Sequence, residues 1–353
     1  MLLPLLSAVC FANLKTSNIQ TQVFKPMIRY SIRTLNQVES GTYGVVFKAT
    51  KDTQSSDTQS DESCRRKEET VALKKVLMHN QATDGFPLTT LREIRMLRLI
   101  DHPNCIKLLD VIIGESQSIY LVFDYCEHDL GTLLQTNKIR FSESEVKTLT
   151  IQLLQGLGFI HALDIIHRDI KLSNLLYNNR GQLKICDFGL ARIAARGDMT
   201  NNVVTLWYRA PELLLGCTGY SSSIDIWSCA CILAELYLGR PIFPGNDEMD
   251  QIKTIFSCLG APRSSIWPDV EMLPLVQKGM INLRQEQLKF QFNNLRIIFP
   301  SISDDGLQLF LQLLAYDPNK RLTAEEASRH EYFSSTPLPQ NMQLMPTFRS
   351  LHQ

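Results

Sequence analysis

Neither sign of charge prevails in this chain. Lys and Arg number 36 and Asp and Glu 36 among 353 residues, so no basic excess points to a nucleic-acid backbone and no acidic excess to a solvating tail. Electrostatic recognition must therefore be local. The nine cysteines include no CxxC pair and no zinc-type histidine spacing; Cys105, Cys186, Cys229 and Cys231 lie in apolar runs and read as reduced and buried. No segment approaches the ~18 uninterrupted apolar residues of a spanning helix, which argues against a membrane protein. There is no internal repeat. What remains is 44% hydrophobic and 20% charged residues, a composition suited to one large globular core or two modest ones.

The opening MLLPLLSAVCFANLK has the length of a signal-peptide core, with small residues near its end but no basic residues before it. Residues 1–29 read as an N-terminal extension; for its apolar opening a secretion signal, a segment lying on the surface and a mis-assigned start are the alternatives. Beyond it, TLNQVE, VVFKAT and VALKKVL predict antiparallel strands. Between the second and third of these, KDTQSSDTQSDESCRRKEET (residues 51–70) is polar throughout and reads as a disordered hairpin insertion. Pro87 opens a helical pattern through Leu99, and KLLDVII and SIYLVFDY are strand-like. After Leu130 the character changes. Ser142 and Glu145 form a capping-box pattern ahead of a stripe of Val146, Leu149, Leu153, Leu157 and Ile160. Helical patterns follow at Ser223–Leu238, Glu248–Leu259 and Asp305–Ala315. The chain thus divides into a small sheet-rich half, a short connection near Asp124–Glu127 and a larger helical half.

Chemistry concentrates in HRDIKLSNLL, His167 to Leu176. Asp169 and Asn174 sit five residues apart in a segment too interrupted for one helix face, as if flanking a pocket, and Asp187 of DFG follows at the end of the strand-like QLKIC. A carboxylate and an amide, Asp187 and Asn174, offer the hard oxygens that Mg²⁺ prefers. Upstream, Gly41-Thr42-Tyr43-Gly44 lies between strands, where small residues let backbone N–H groups approach phosphates, and Lys74 on the third strand supplies a point charge. Each piece has a plain alternative: GTYG as a hairpin turn, DFG as a turn, Lys74 as a solvated strand residue. The order of Gly-rich turn, strand lysine, helix glutamate, HRD…N, DFG and APE (Ala210–Glu212), each in its structural setting, decides against those alternatives.

From about Tyr30 to Phe333 the sequence resembles the eukaryotic protein kinases. The resemblance implies an α+β, bilobal protein kinase fold: a small antiparallel β-sheet N-lobe with one regulatory helix (30–124, with the insertion at 51–70), a hinge (125–127), a larger mainly helical C-lobe (128–336) and a C-terminal tail (337–353). It also implies ATP and Mg²⁺ as cofactors. By that resemblance Asp169 orients or deprotonates the substrate hydroxyl, Asn174 and Asp187 hold the metal, Lys171 steadies the γ-phosphate and Thr205 completes the catalytic set. Lys74 binds the α- and β-phosphates and pairs with Glu93. Val38, Glu39, Gly41, Thr42, Tyr43 and Gly44 form the phosphate loop. Val46 and Ala72 cover the adenine above Leu176, Phe123 guards the back of the pocket, and Asp124, Cys126 and Asp129 line the nucleotide's edge.

VVTLWYRAPELLLG (Val203–Gly216) and GTYGVV are similar to the cyclin-dependent kinases, and PLTTLRE (Pro87–Glu93) aligns with their cyclin-docking helix, closest to the PITSLRE-type branch. Glu39 stands where the first glycine of the phosphate loop is usual; that branch also carries glutamate there. The resemblance implies a cyclin-type partner, an activating kinase acting on Thr200 opposite Arg92, Arg168 and Arg192, and inhibitory phosphates at Thr42 and Tyr43. Two departures stand out: the Asp187–Thr200 segment is two residues shorter than usual, and Ala194–Ala195 are atypical. Val203, Val204 and Arg209 are implied to shape a pocket for proline after the target serine or threonine. Asp225 with Trp227, and Glu212 with Arg321, are implied structural anchors. The family location is nucleus and/or cytoplasm, with no nucleic-acid or membrane partner. A cyclin-independent kinase and an inactive scaffold remain the alternatives; the scaffold would have lost Lys74, Asp169, Asn174 or Asp187, and all are present.

Overall fold

The computed structural model describes residues 30–41, 44–51, 69–76, 88–113, 119–194 and 203–349. The expectations for residues 1–29, Thr42, Tyr43, Pro87, Thr200, Ala195 and the body of the 51–70 insertion fall outside these residues. The chain forms two compact units, one containing the sheet through Leu108–Tyr125 and the other comprising Leu91–Lys107 and Cys126–Leu351.

The sheet unit contains β1 (Tyr30–Gly41), β2 (Gly44–Lys51), β3 (Glu69–Lys75), β4 (Leu108–Ile113) and β5 (Ile119–Asp124), in the order β1-β2-β3-β5-β4, every neighbour antiparallel. Strand alternation sorts its residues cleanly. Ala49, Val71, Leu73 and Val122 form a fully buried cluster with Phe47, Ile112 and Tyr120 packed against it. The residues between them point to the opposite face. Lys51 pairs with Glu69, so β2 and β3 take in the ends of the expected insertion.

The helix predicted from Pro87 to Leu99 runs as α1 (Leu88–Leu97), and Arg98 and Leu99 turn out of it. Leu91–Lys107 lies inside the 30–124 span expected for the sheet half, yet it groups with the helical unit. Hydrogen bonds explain this: Asn104 Nδ2 donates to Gln152 Oε1 and to the Leu183 carbonyl, and the Ile106 N–H donates to the Ile185 carbonyl.

In the helical unit, β6 (His128–Asp129) and a π-helical turn (Thr132–Thr136) lead to α2 (Glu143–Ala162). Its capping box is as predicted, Ser142 accepting from the Glu145 N–H while Glu145 accepts from the Ser142 N–H. Short strands β7 (Ile165–Ile166), β8 (Leu175–Tyr177), β9 (Leu183–Ile185) and β10 (Arg192–Ile193) follow, with β6-β8-β9 and β10-β7 pairing. Then come α3 (Pro211–Leu214), α4 (Ser223–Leu238), α5 (Glu248–Leu259), α6 (Pro274–Gln277), α7 (Leu283–Lys289), α8 (Leu295–Ile298), α9 (Asp304–Leu313) and α10 (Ala324–Ser328). α9 begins one residue before its predicted start because the Ser303 hydroxyl caps it through the Gly306 N–H, and it ends at Leu313, before the predicted Ala315.

α4 is largely apolar and almost wholly buried, the mark of a central helix. Among the described cysteines all are free; Cys105, Cys229 and Cys231 are buried as expected, and burial pushes the Cys105 and Cys229 thiols up to about 12. Cys186 is only half-buried, a correction to the sequence reading, because β9 ends just before it and the chain turns at Asp187. Among the described residues no helix is long and apolar enough to cross a membrane.

Buried Arg321 ties α3 to the segment between α9 and α10. It donates to both carboxylate oxygens of buried Glu212 at 2.8 and 3.1 Å, to the Ser223 and Ala315 carbonyls, and lies over the Trp227 ring. Removing the cation leaves a buried carboxylate unpaired. Arg321→Met is therefore expected to lose about 3–5 kcal/mol in urea unfolding, with the Glu212→Gln/Arg321→Met double variant recovering part of that loss.

Candidate active site

One face of the sheet unit carries a first group of candidate residues. Val46 lies opposite Lys74, Lys48 opposite Ala72, Ala72 opposite Phe123 and Lys74 opposite Leu121, so Val46, Ala72, Lys74 and Phe123 share the side of the sheet away from the apolar cluster. Glu39 pairs with Val46, and Gly41 with Gly44, joining β1 to β2. Val38 precedes Glu39 on β1, and Asp124 ends β5 opposite Val71.

Within the helical unit lies the charged segment, and its backbone is held by one carboxylate. Fully buried Asp225, at the start of α4, accepts from the backbone N–H of His167 at 2.8 Å and of Arg168 at 2.9 Å, and from His161 Nε2 at 2.9 Å. Burial alone would raise the Asp225 carboxyl. The hydrogen bond and charge of His161, with the Arg168 N–H, outweigh burial and hold it below its ordinary value of 3.8. Arg168 takes a left-handed backbone (φ 69°), rare for a non-glycine residue. The His167 ring accepts from the Asp169 N–H through Nδ1, so Nε2 carries the proton it donates to the Cys186 carbonyl, and the ring packs against Phe188 at 4.9 Å.

That scaffold presents a compact polar set. Asp169 Oδ2 meets Lys171 Nζ at 2.8 Å and Asn174 Nδ2 at 3.0 Å, while Asp169 Oδ1 accepts from the Thr205 hydroxyl at 3.0 Å. Lys171 Nζ also donates to Thr205 Oγ1 at 3.3 Å. Asn174 spends its amide nitrogen on the Asp169 carboxylate and carbonyl, which turns Oδ1 away from them, and Asp187 holds its carboxylate on a left-handed turn (φ 61°). An amide oxygen and a carboxylate suit a hard cation that takes its remaining oxygens from phosphate and water. No cluster of three His, Cys, Asp or Glu side chains exists among the described residues, so an all-protein metal cage is not offered. Asp129 and Leu176 are Cα partners across β6 and β8, and half-buried Cys126 lies shortly before β6.

Two further groupings lie in the same unit. Arg168 Nε donates to the Leu190 carbonyl at 2.7 Å and Nη1 to the Tyr220 hydroxyl at 2.9 Å. Burial, then the positive charges of Arg168 and Arg92, lowers Arg192 below the ordinary arginine range, offset in part by Tyr220. Arg192 is therefore within electrostatic reach of both. Val204 is left-handed (φ 67°), and Arg209 takes its carbonyl through Nε and Nη2 while pairing with Glu248 at 2.5 Å. Val203 beside it is buried. Tyr220, Glu248 and His161 escaped the sequence reading, since each acts through a partner remote in sequence. Only His161 left a trace, as a polar residue at the end of an apolar stripe.

The sequence profile of the protein kinase domain family matches residues 32–333. Human cyclin-dependent kinase 10 is 47% identical over 89% of this chain and 82% of its own length. Cyclin-dependent kinase G-2 of Oryza sativa subsp. indica is 44% identical over 90% of this chain and 44% of its own. Among solved structures, a chain of the yeast RNA Pol II CTD kinase CTDK-1 complex superposes with a TM-score of 0.76 at 36% identity, covering 93% of this chain and 100% of that one.

The folded value of Asp225 is depressed, so its stabilising contribution is complete above 3.8 and is lost as pH falls through that lower value. Asp225→Asn is expected to cost about 3 kcal/mol near neutrality. Urea unfolding at a series of pH values should show the gap between variant and parent narrowing only below 3.8.

Proposed function

Because this chain belongs to the protein kinase domain family, and within it to the cyclin-dependent serine/threonine kinases, we propose that it moves the terminal phosphoryl group of ATP to a protein serine or threonine followed by proline, under control of a cyclin-type subunit and of a phosphate on Thr200. The observation that carries this reading is the set Asp169, Lys171, Asn174 and Thr205, joined by contacts of 2.8 to 3.3 Å on a backbone pinned by Asp225.

Asp169 accepts the hydrogen bond of the incoming hydroxyl, orienting it and taking its proton as the new P–O bond forms. Thr205, which already donates to Asp169, marks where a substrate hydroxyl finds the same acceptor. Lys171 brings its ammonium beside that carboxylate and balances charge gathering on the transferred group. Asn174 and Asp187 would hold Mg²⁺, which when bound neutralises charge on the nucleotide's phosphates. The sheet face of Val46, Ala72, Lys74 and Phe123 is assigned to nucleotide binding with Val38, Glu39, Gly41 and Gly44 of the hairpin, Lys74 supplying charge to phosphate. Asp124, Cys126, Asp129 and Leu176 are assigned to the same ligand.

Substrate choice is read from Val204. Its left-handed turn commits the carbonyl to Arg209, leaving no acceptor there for the N–H of the residue after the target hydroxyl. An ordinary residue would bury an unpaired donor, a penalty of about 1–3 kcal/mol, and proline has none to bury. Activation is read from Arg92, Arg168 and Arg192, whose mutual repulsion a dianion on Thr200 would relieve. The cyclin-type partner is assigned to the Pro87–Glu93 sequence, in which Arg92 is exposed.

With a cyclin bound, the chain is expected to phosphorylate a Ser-Pro peptide at least tenfold faster than its Ser-Ala counterpart. Asp169→Asn should lower kcat by about a thousandfold or more while calorimetry still registers ATP binding; undiminished turnover would reject the assigned base. Thr200→Ala should reduce activity at least tenfold with an unchanged thermal midpoint, and full activity in that variant would count against the arginine-cluster account.

A further inference from the structure

The C-terminal segment beyond Tyr332 takes no part in the chemistry above, yet it is fastened along the helical unit residue by residue. Lys147 Nζ donates to the Ser335 carbonyl at 2.8 Å, the Gln340 N–H to the Ser144 carbonyl at 3.0 Å, and Thr148 Oγ1 to the Gln340 carbonyl at 2.7 Å. Met345 is buried, and Gly181 makes room for it: a side chain there would strike the Met342 carbonyl and approach the Met345 Cβ to 2.8 Å. The Tyr177 hydroxyl then donates to the Pro346 carbonyl at 2.6 Å.

The segment ends at β6. Phe348 sits in a cage of three rings, edge-on to His128 at 5.7 Å and Phe141 at 6.3 Å and tilted against Tyr177 at 6.0 Å. Its backbone is gripped at both polar atoms by Asn179, the N–H donating to Oδ1 at 2.9 Å and the carbonyl accepting from Nδ2 at 3.1 Å. The same Asn179 donates its own backbone N–H to Glu127 Oε2 at 3.2 Å. His128 Nε2 lies 3.3 Å from the Phe348 carbonyl. A carbonyl only accepts, so Nε2 carries the proton. Buried Nδ1 has no hydrogen-bond partner among the described residues. The contact to Phe348 is thus the ring's one hydrogen bond among the described residues, and without the segment the ring loses both that partner and its cover.

His128 is one of the two residues of β6; the other is Asp129, whose Oδ1 accepts from the Thr132 N–H at 2.7 Å. A two-residue strand has little of its own to fix it. Here it is paired on one side to β8 and fastened through His128 to Phe348.

We propose that residues 345–349 are a positioning strap for the nucleotide site, holding His128 and through it the carboxylate of Asp129 where it meets bound nucleotide. Phe348 is the positioning residue and Asn179 its anchor. The inference rests on the reading of Asp129 as a nucleotide contact.

Calorimetric titration of ATP·Mg into the full-length chain tests it, using Phe348→Ala, Phe348→Tyr, Asp129→Ala and the Phe348→Ala/Asp129→Ala pair. Phe348→Ala should weaken Kd about fivefold, with kcat at saturating ATP within about twofold of the parent. Phe348→Tyr should keep the parent's Kd. The double variant should bind no more weakly than Asp129→Ala alone, since coupled residues are non-additive. An unchanged Kd in Phe348→Ala beside a weakened Asp129→Ala, or fully additive losses in the pair, would overturn the strap while leaving the nucleotide site in place. An unchanged Kd in Asp129→Ala would instead overturn the reading of that residue, and the strap's route with it. Should Phe348→Ala not fold, Asn179→Ala, which breaks both bonds to the Phe348 backbone and spares the ring, serves the same comparison.

Discussion

One buried carboxylate organises the helical unit of this protein. Asp225 has no solvent to lean on, and it spends its acceptor capacity on two consecutive backbone N–H groups and one imidazole. Consecutive N–H groups converging on one carboxylate require an abrupt backbone bend, and the left-handed φ of Arg168 supplies it. Everything from His167 to Asn174 takes its course from that bend. The central helix that carries Asp225 is itself held by contacts with α2 and by the Arg321 pair reaching the carbonyl of Ser223 in its first turn. Fold stability and catalytic geometry are therefore one problem in this unit.

Backbone strain gathers at residues assigned to the proposed chemistry. Arg168, Asp187 and Val204 all adopt backbone angles that a side chain disfavours, and each is pinned by an identifiable neighbourhood: Asp225 for the first, the buried Phe188 for the second, Arg209 for the third. Val204 is the clearest, because β-branching makes a left-handed conformation especially unfavourable. Its carbonyl would not remain turned inward without the guanidinium that receives it.

Much of this was legible in the sequence because the decisive motifs are short and contiguous. HRD…N, DFG and APE name Asp169, Asn174, Asp187 and Glu212 directly, and strand alternation around VALKK is enough to place Ala72 and Lys74 on one face. The capping box at Ser142 was equally local, and it formed as written. What escaped is whatever depends on two distant segments meeting. Nothing near Tyr220 announces Arg168, nothing near Glu248 announces Arg209, and the tail beyond Pro337 has no pattern that reveals the ring cage at Phe348. Helix limits slipped by a residue or two where a hydroxyl such as that of Ser303 chose the start. The grouping of Leu91–Lys107 with the helical unit also hinged on remote partners, Gln152, Leu183 and Ile185.

The pairing of Lys51 with Glu69 sets the ends of two neighbouring strands face to face at the rim of the sheet. Any peptide spliced in at that doorway leaves and returns at the same spot, so its length is decoupled from strand register, and doubling it adds only about 0.6 kcal/mol of closure entropy. The rim between β2 and β3 is accordingly a natural port for grafting a reporter or tether onto the molecule.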